Sequence, residues 1–130
     1  MKKIFQYVLF SILILILHGC ATLADARKAE GEGVRKVYKV SIDKSWNATL
    51  KVLSKLKLEL VTENKNEGYI LAQRGITAFS YGENIAIFLK PKNEEETEVE
   101  VVSKRAMETN IFAPDWSKDI HNELQMALTN

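Results

Sequence analysis

The arrangement of apolar and polar positions divides the chain into two parts. After Lys2 and Lys3, residues 4–17 are almost continuously apolar. From Val34 onward, apolar residues alternate with polar ones in some segments and recur at helical spacing in others. These are the periods of half-buried strands and amphipathic helices, so the pattern predicts a single folded domain over residues 34–130.

Two segments of this domain show the one-sided apolar stripe of a helix that packs against a sheet. Ser41 or Asp43 is expected to cap the first helix and Asp115 the second, because these side chains can accept a hydrogen bond from a backbone N–H of the first turn. The stripes consist of Ile42, Trp46, Leu50, Val52, Leu53 and Leu56 in the first helix, and of Trp116, Ile120, Leu124, Ala127 and Leu128 in the second. Core packing is therefore the expected role of both tryptophans.

Five further segments are predicted to be strands, because they are rich in β-branched and aromatic residues and are bounded by turn residues. They are residues 34–40, 58–62, 69–80, 85–89 and 97–103. The fourth is the most hydrophobic and should lie at the centre of the sheet. Tight turns between consecutive strands favour antiparallel pairing. The predicted fold is α+β in two layers, with an antiparallel sheet of about five strands, the order β-α-β-β-β-β-α, and both helices packed on the sheet.

The apolar N-terminal segment has the organisation of an export signal. A basic start, a short apolar run and a small residue before Cys20 are typical of secretory signals. The ending Leu17-His18-Gly19-Cys20 resembles the lipobox of bacterial lipoproteins, in which the cysteine becomes the lipidated first residue of the mature protein. This resemblance implies that residues 1–19 are a lipoprotein signal peptide and that Cys20 carries acyl chains such as palmitate. An uncleaved membrane helix, which needs about 20 apolar residues, and a buried core helix are less favoured alternatives.

Residues 20–33 are predicted to join the lipid to the domain as a flexible tether. Residues 21–33 are mostly small or charged and show no apolar period. A turn of weak helix is the most regular structure that this segment is expected to contain. A flexible chain of this length would hold the domain on the order of 20 Å from the lipid. Cys20 is the only cysteine, so no disulfide can form within the chain, and lipid attachment accounts for an unpaired thiol in an exported protein.

The charge of the mature chain is close to balanced. The full chain has 18 basic and 17 acidic residues. Loss of Lys2 and Lys3 with the signal peptide leaves 16 basic residues and a net charge of −1. Nucleic-acid-binding domains normally carry a strongly basic face, so nucleic acid is not an expected partner.

The mature sequence contains little that could catalyse a reaction. His121 is its only histidine and Cys20 its only cysteine, so neither a zinc site of clustered Cys and His nor a cysteine nucleophile is expected. Ser117 and His121 share a helix face, but a Ser-His pair also needs an orienting acid and an oxyanion hole. We expect both to lie on the polar outer face of the last helix. The sequence predicts no enzyme activity, no cofactor and no metal.

A run of acidic residues is the other candidate for a site. Glu94, Glu95, Glu96, Glu98 and Glu100 do not follow the ligand spacing of a calcium-binding EF-hand loop. The first three fall on a predicted hairpin turn, and the last two fall on the polar face of the following strand. All five are expected to be solvated, where acidic side chains also discourage edge-to-edge pairing of sheets.

Four apolar or aromatic side chains in predicted loops and turns are the candidates for a contact surface. They are Phe79, Tyr81, Ile111 and Phe112. Such residues either pack back over the core as lids or stay exposed as a patch that a partner covers. The lid is the favoured expectation, and a partner surface is the alternative.

Two short segments resemble the small helix-grip-like domains of bacterial envelope lipoproteins. They are Asp43-x-x-Trp46 at the start of the first helix and Glu67-Gly68-Tyr69-Ile70 after the second strand. The resemblance covers residues 34–128 and implies an α+β domain in the bacterial cell envelope. Some members of that group are accessory subunits of outer-membrane assembly machinery, and the resemblance implies no catalytic residue.

These observations predict a membrane-anchored, non-enzymatic lipoprotein that binds another envelope component, such as a protein, or acts as an assembly accessory. Ala21, rather than an aspartate, follows Cys20. By resemblance to proteobacterial lipoproteins, this favours the outer membrane, with the domain facing the periplasm. The alternative is a carrier that grips a small apolar or lipid ligand between sheet and helix. Whether side chains fill that space distinguishes the two functions.

Overall fold

The computed structural model describes residues 21–78, 80–107 and 110–129. Its elements are, in chain order, α1 (Leu23–Lys28), β1 (Val34–Tyr38), α2 (Ile42–Lys55), β2 (Glu59–Asn64), β3 (Tyr69–Arg74), β4 (Glu83–Asn93), β5 (Glu96–Arg105) and α3 (Trp116–Thr129). From β1 to α3 this is the predicted order β-α-β-β-β-β-α, so the predicted α+β fold is confirmed. Helix α1 is an addition, and it lies in the segment predicted to be a tether.

All five strands form one antiparallel sheet in the order β1-β5-β4-β3-β2. As its hydrophobicity predicted, β4 is the central strand, and it pairs with β5 along almost its whole length. Ile85 and Ile87 of β4 are completely buried. The chain therefore places its most apolar strand where neighbouring strands cover both edges.

The two long helices cover one face of this sheet and share a buried core with it. The core includes Trp46, Val52 and Leu53 of α2, Ile85, Ile87 and Leu89 of β4, Val99 and Val101 of β5, and Trp116, Ile120 and Leu124 of α3. The predicted core role of both tryptophans is thus confirmed. Ala127 differs from its prediction because it is exposed, while Leu128 packs against the core in the last turn of α3.

Side-chain caps begin both long helices. Ser41 Oγ accepts a hydrogen bond from the Lys44 backbone N–H at 3.4 Å, so Ser41 rather than Asp43 caps α2. Asp115 Oδ1 accepts one from the Ser117 N–H at 3.0 Å, as predicted for the start of α3. These caps fix the points at which the chain turns from loop into helix.

The predicted flexible tether is instead a short capped helix that packs on the opposite face of the sheet. Thr22 and Asp25 form a capping box, in which the Thr22 N–H donates to Asp25 Oδ2 at 2.8 Å. Ala26 and Ala29 are buried in a cluster with Phe88 of β4. The prediction of a flexible tether is therefore wrong for the described residues of this segment, 21–33. It failed because two alanines bring the helix close to the sheet without producing an apolar period in the sequence.

The exposure of β2 also differs from its prediction. β2 is an edge strand, and its residues 59–63 are exposed rather than half-buried. A register shift between Leu60 and Thr62 interrupts the alternation, and Leu58, just before the strand, supplies the buried apolar side chain.

The turn between β2 and β3 requires a glycine. Gly68 has a φ of 74°, and a Cβ at this position would lie 2.7 Å from the carbonyl oxygen of Leu89. The Leu89 N–H donates a hydrogen bond to the Gly68 carbonyl oxygen at 2.8 Å. Only glycine adopts this backbone conformation readily, and only glycine leaves room for the carbonyl oxygen. These two constraints explain why a glycine occupies position 68 without assigning it a functional role.

Truncation of a core residue of α2 should destabilise the domain. We expect Leu53→Ala to lower the free energy of unfolding by about 2–5 kcal/mol, because it leaves a cavity where a side chain is 1% exposed. Lys51→Ala, on the exposed side of the same helix, is the matched control and should change stability by less than about 0.5 kcal/mol. Urea denaturation of both variants gives the comparison, and equal midpoints would contradict the orientation of α2.

Candidate functional site

Two loops carry the most exposed large apolar side chains of the described residues. The loops are residues 75–82, between β3 and β4, and residues 106–115, between β5 and α3. The side chains are Ile76, Tyr81, Ile111 and Phe112, which are 78%, 60%, 72% and 80% exposed. We call these four residues the apolar loop end. The expectation that Tyr81, Ile111 and Phe112 are lids over the core is therefore wrong, and Phe79 lies outside the described residues.

Both loops leave the sheet at the same end. β3 ends where β4 begins, and β4 begins where β5 ends, because Glu83 pairs with both Arg74 and Arg105. The Ala106 N–H donates a hydrogen bond to the Gly82 carbonyl oxygen at 2.9 Å and joins the loops directly. The two loops therefore lie side by side.

Ile76 is the member of the apolar loop end that the sequence did not predict. The sequence predicted a strand as far as residue 80, interrupted at Gly75 by a bulge or bend, whereas β3 ends at Arg74. Gly75 was the feature of the sequence that could have indicated the end of the strand, because it directly follows the last residue of β3.

A buried carboxyl group fixes the base of both loops. Glu83 is 1% exposed, and it accepts hydrogen bonds from the Ser80 hydroxyl and, at 3.3 Å, from Trp116 Nε1–H. Ser80 Oγ also accepts one from the Gly82 N–H at 2.9 Å, and the Arg74 guanidinium lies 5.0 Å from the centroid of the Trp116 ring. Buried polar groups are generally hydrogen-bonded. Here, these bonds tie the first loop to the start of α3.

The first described residue is bonded to the same end of the sheet. The Ala21 N–H donates to the Ala106 carbonyl oxygen at 3.0 Å, and the Ala21 carbonyl oxygen accepts from Asn84 Nδ2 at 2.8 Å. Thr22 caps α1 immediately afterwards. Cys20, the predicted lipidation site, lies outside the described residues, but a single peptide unit of about 3.8 Å between Cα atoms joins it to Ala21. Ala21 therefore lies beside the apolar loop end.

The predicted Ser-His pair lies in the interior and not on the outer face of α3. His121 is completely buried and Ser117 is 2% exposed, so the expectation of a solvated pair is wrong. His121 Nε2 lies 2.8 Å from the Val34 carbonyl oxygen, and its Nδ1 lies 2.8 Å from the Tyr38 hydroxyl. The Ser117 hydroxyl donates to Asp115 Oδ1 at 2.6 Å. Internal partners satisfy both polar side chains, which is why they can be buried, and their bonds go to other residues instead of to each other.

The partners of His121 also define its protonation. A carbonyl oxygen can only accept, so Nε2 carries a proton toward Val34. In the neutral ring, Nδ1 then accepts from the Tyr38 hydroxyl, which also lies 3.2 Å from the His121 carbonyl oxygen. Burial is the main cause that lowers the pKa of His121, and Lys36 lowers it further, against the opposing effect of the bond to Val34. Burial likewise raises the pKa of Tyr38 to about 12. Both side chains are therefore neutral structural groups between α3 and β1 at neutral pH.

Glu100 is a second polar residue that the sequence misplaced. It shares a sheet face with its cross-strand partner Phe88, on the side that α1 covers, and is 3% exposed rather than solvated. One of its oxygens accepts hydrogen bonds from the N–H groups of Gly31 and Gly33 at 2.7 and 2.8 Å, and the other lies 3.4 Å from Arg35 Nε. Glu100 therefore fastens the connection between α1 and β1 to the sheet.

The remaining acidic residues stand closer to their prediction. Glu94 and Glu95 are exposed at the tip of the β4–β5 hairpin, and Glu96 and Glu98 are half-buried. In the described ranges, no group of three His, Cys, Asp or Glu side chains is placed to hold a metal ion. No helix among the described residues is long and apolar enough to cross a membrane.

Side chains fill the space between the sheet and the two long helices. Leu53, Ile87, Val99, Ile120 and Leu124 all meet there with 1% exposure or less. An open cleft of about 340 Å³ lies instead at the surface beside the N-terminal entry, and it is lined by Ala21, Ser103, Lys104, Arg105, Pro114 and Asp115.

An antiparallel five-stranded sheet with two long helices on one face defines a small α+β domain. By sequence, the chain belongs to DUF3568, a family of proteins of unknown function, whose model matches residues 3–104. No curated protein matches it significantly.

Solved structures share the fold. One is a chain in the crystal structure of the adenylate sensor from AMP-activated protein kinase in complex with 5-aminoimidazole-4-carboxamide 1-beta-D-ribofuranotide. It is 14% identical over 75% of this chain and 95% of that chain, with a TM-score of 0.50. At this identity, the likeness concerns the fold alone.

Acidification should destabilise the domain through His121. Because burial lowers its folded-state pKa below the ordinary value of 6.5, the unfolded chain takes up a proton near that pH and the folded domain does not. The contribution of neutral His121 to the free energy of unfolding is fully present above pH 6.5. It is lost as the pH falls, by up to about 1.4 kcal/mol per pH unit. Urea unfolding from about pH 7.5 to about pH 5 measures this slope. His121→Gln should have a shallower slope, and an equal slope in the variant would contradict the assignment.

Proposed function

We propose that the protein is a lipid-anchored bacterial envelope lipoprotein whose non-enzymatic domain binds another envelope component through the apolar loop end. The observation that carries this proposal is the exposure of four large apolar side chains on two adjacent loops. Exposed apolar patches of this kind are typical of interaction surfaces. The hydrogen bond from the Ser80 hydroxyl to Glu83 holds the end of the first loop next to Tyr81.

The anchor is proposed from the lipobox-like sequence that ends at Cys20. Two or more acyl chains on one cysteine would hold the protein firmly on a bilayer. Ala21 after this cysteine favours the outer membrane, with the domain on its periplasmic side. The direct bonds from Ala21 to the sheet fit an anchor that is coupled closely to the domain.

Binding is a better-supported activity than catalysis. Ser117 and His121 carried the strongest catalytic signal in the sequence, and both direct their polar atoms to internal partners. The partners of Glu83 likewise give it a structural role. The carrier function has less support, because core side chains occupy the space in which a gripped ligand would sit.

Replacement of Cys20 tests the anchor. Cys20→Ser should abolish incorporation of radiolabelled palmitate and leave the precursor uncleaved or released from the membrane, because the residue that accepts the lipid is missing. Ser54→Ala, on the exposed side of α2, is the control and should be labelled normally. Palmitate incorporation into Cys20→Ser at the control level would rule out lipidation at this residue.

Photo-crosslinking from position 112 tests the contact surface. A photo-reactive amino acid in place of Phe112 should form adducts with an envelope component in intact cells, because the native side chain is 80% exposed. The same amino acid in place of Glu95, at the exposed hairpin tip, is the matched control and should give few adducts. Phe112→Ser should also retain the melting temperature, since it uncovers no core. Equal adduct yields at both positions would remove this loop from the proposal.

A further inference from the structure

We infer that the apolar loop end lies against the lipid bilayer, with Ile76, Tyr81, Ile111 and Phe112 entering the headgroup region of a phospholipid membrane. This inference rests on the proposed lipid anchor at Cys20 and names the envelope component that the loops contact. Four lines of structural observation lead to it.

The first is the point at which the chain enters the fold. Ala21 is hydrogen-bonded to Ala106 of the second loop and to Asn84 near the start of β4. The peptide unit before Ala21 spans about 3.8 Å between Cα atoms, so an acylated Cys20 would be held at this end of the sheet. A tether on the order of 20 Å would allow the domain to stand away from the membrane in any orientation. The capped α1 replaces that tether and removes this freedom.

The second is the chemistry of the exposed side chains. Two are isoleucines, and the other two are a phenylalanine and a tyrosine, the latter with a polar hydroxyl on an apolar ring. Aromatic side chains with a polar end are enriched at the boundary between lipid and water. Apolar side chains on an exposed loop gain free energy when they leave water, and the acyl boundary is an apolar environment within their reach.

The third is the support beneath these side chains. The first loop is closed by a hydrogen bond from the Thr77 N–H to the Ser80 carbonyl oxygen at 2.8 Å. In the second, the Ala113 N–H donates to the Asn110 carbonyl oxygen at 3.2 Å. The described loop residues that these bonds hold lose little conformational freedom on insertion, which lowers the cost of binding.

The fourth is the distribution of charge along the sheet. Lys104 and Arg105 end β5 beside the apolar loops, and Lys104 also pairs with Glu32 at 3.0 Å. The acidic tip with Glu94 and Glu95 lies at the other end of β4, on the order of 30 Å away at the rise of a strand. Membranes that contain anionic lipids attract basic residues and repel acidic ones. Asp115 in the second loop is also exposed, and Lys39 and Lys44 lie beside the acidic tip. The polarity is therefore weak, and it supports the orientation less than the apolar side chains do.

Site-specific labels can measure this orientation in the lipidated protein. Cys20 is the only cysteine and the lipid consumes its thiol, so an introduced cysteine is the one reactive thiol of the mature chain. Phe112→Cys and Tyr81→Cys place a fluorophore at the apolar loop end, and Glu95→Cys places it at the acidic tip. Each labelled, lipidated protein is reconstituted into vesicles of phosphatidylethanolamine and phosphatidylglycerol that contain no other protein. Quenching by nitroxide-labelled lipids reports the distance of the fluorophore from the bilayer.

We expect lipid nitroxides to quench the labels at positions 112 and 81 several-fold more strongly than the label at position 95. Adding Ile111→Ser and Phe112→Ser to Tyr81→Cys should reduce its quenching toward the level at position 95, with the melting temperature unchanged. Equal and weak quenching at all three positions, in protein that remains on the vesicles, would overturn the inference and leave the lipid anchor intact. Quenching at position 112 that falls as the protein density on the vesicles rises would indicate a second copy as the partner and would also overturn it.

The same preparation separates this inference from the proposed function. Protein that fails to stay on the vesicles and lacks palmitate would contradict the anchor itself, and the inference would fall with it. Stable anchoring with protein adducts from position 112 in cells, but without quenching in pure lipid, would favour a protein partner and contradict the bilayer contact alone.

Discussion

The pairing of β4 with β5 is the constraint on which the other features of the domain depend. Its register runs from Glu83 opposite Arg105 to Asn93 opposite Glu96. Neighbouring residues of a strand face opposite sides of the sheet. This register therefore directs Ile87 toward the long helices and Phe88 toward α1 on the other face. A slip by one residue would exchange the two sets and expose the core. The same pairing brings together the strand ends from which both apolar loops leave.

The features that the sequence predicted are those that many side chains specify together. The stripes of α2 and α3 and the central position of β4 each rest on several apolar residues, so one exception such as Ala127 does not change the result. His121 and Glu100 were misplaced because their burial depends on two or three partners that are distant along the chain. Tyr38 is 83 residues from His121, and Gly31 is 69 residues from Glu100. A periodicity argument treats such polar residues as exposed, since it has no means to identify a remote partner.

The apolar loop residues show a different limit. The sequence identified Tyr81, Ile111 and Phe112 as candidates but favoured them as lids, because an apolar side chain usually finds apolar surface to cover. At this end of the fold, the Arg74 guanidinium already lies over Trp116, and Glu83 bonds to the same indole. These polar groups cover the surface of Trp116 that an apolar lid would otherwise cover, and only the tertiary structure reveals their arrangement. The helix α1 escaped prediction for a related reason, since alanine contacts carry little signal.

The bonds of Ala21 have a mechanical consequence. A force applied at this residue is transmitted to two inner strands of the sheet, through Ala106 after β5 and Asn84 of β4. The load does not first extend a slack linker, and α1 does not peel away until these bonds break. A pull on Ala21 would therefore load the sheet itself, and the resistance of the domain to that pull would depend on these two hydrogen bonds before it depended on the packing of α1.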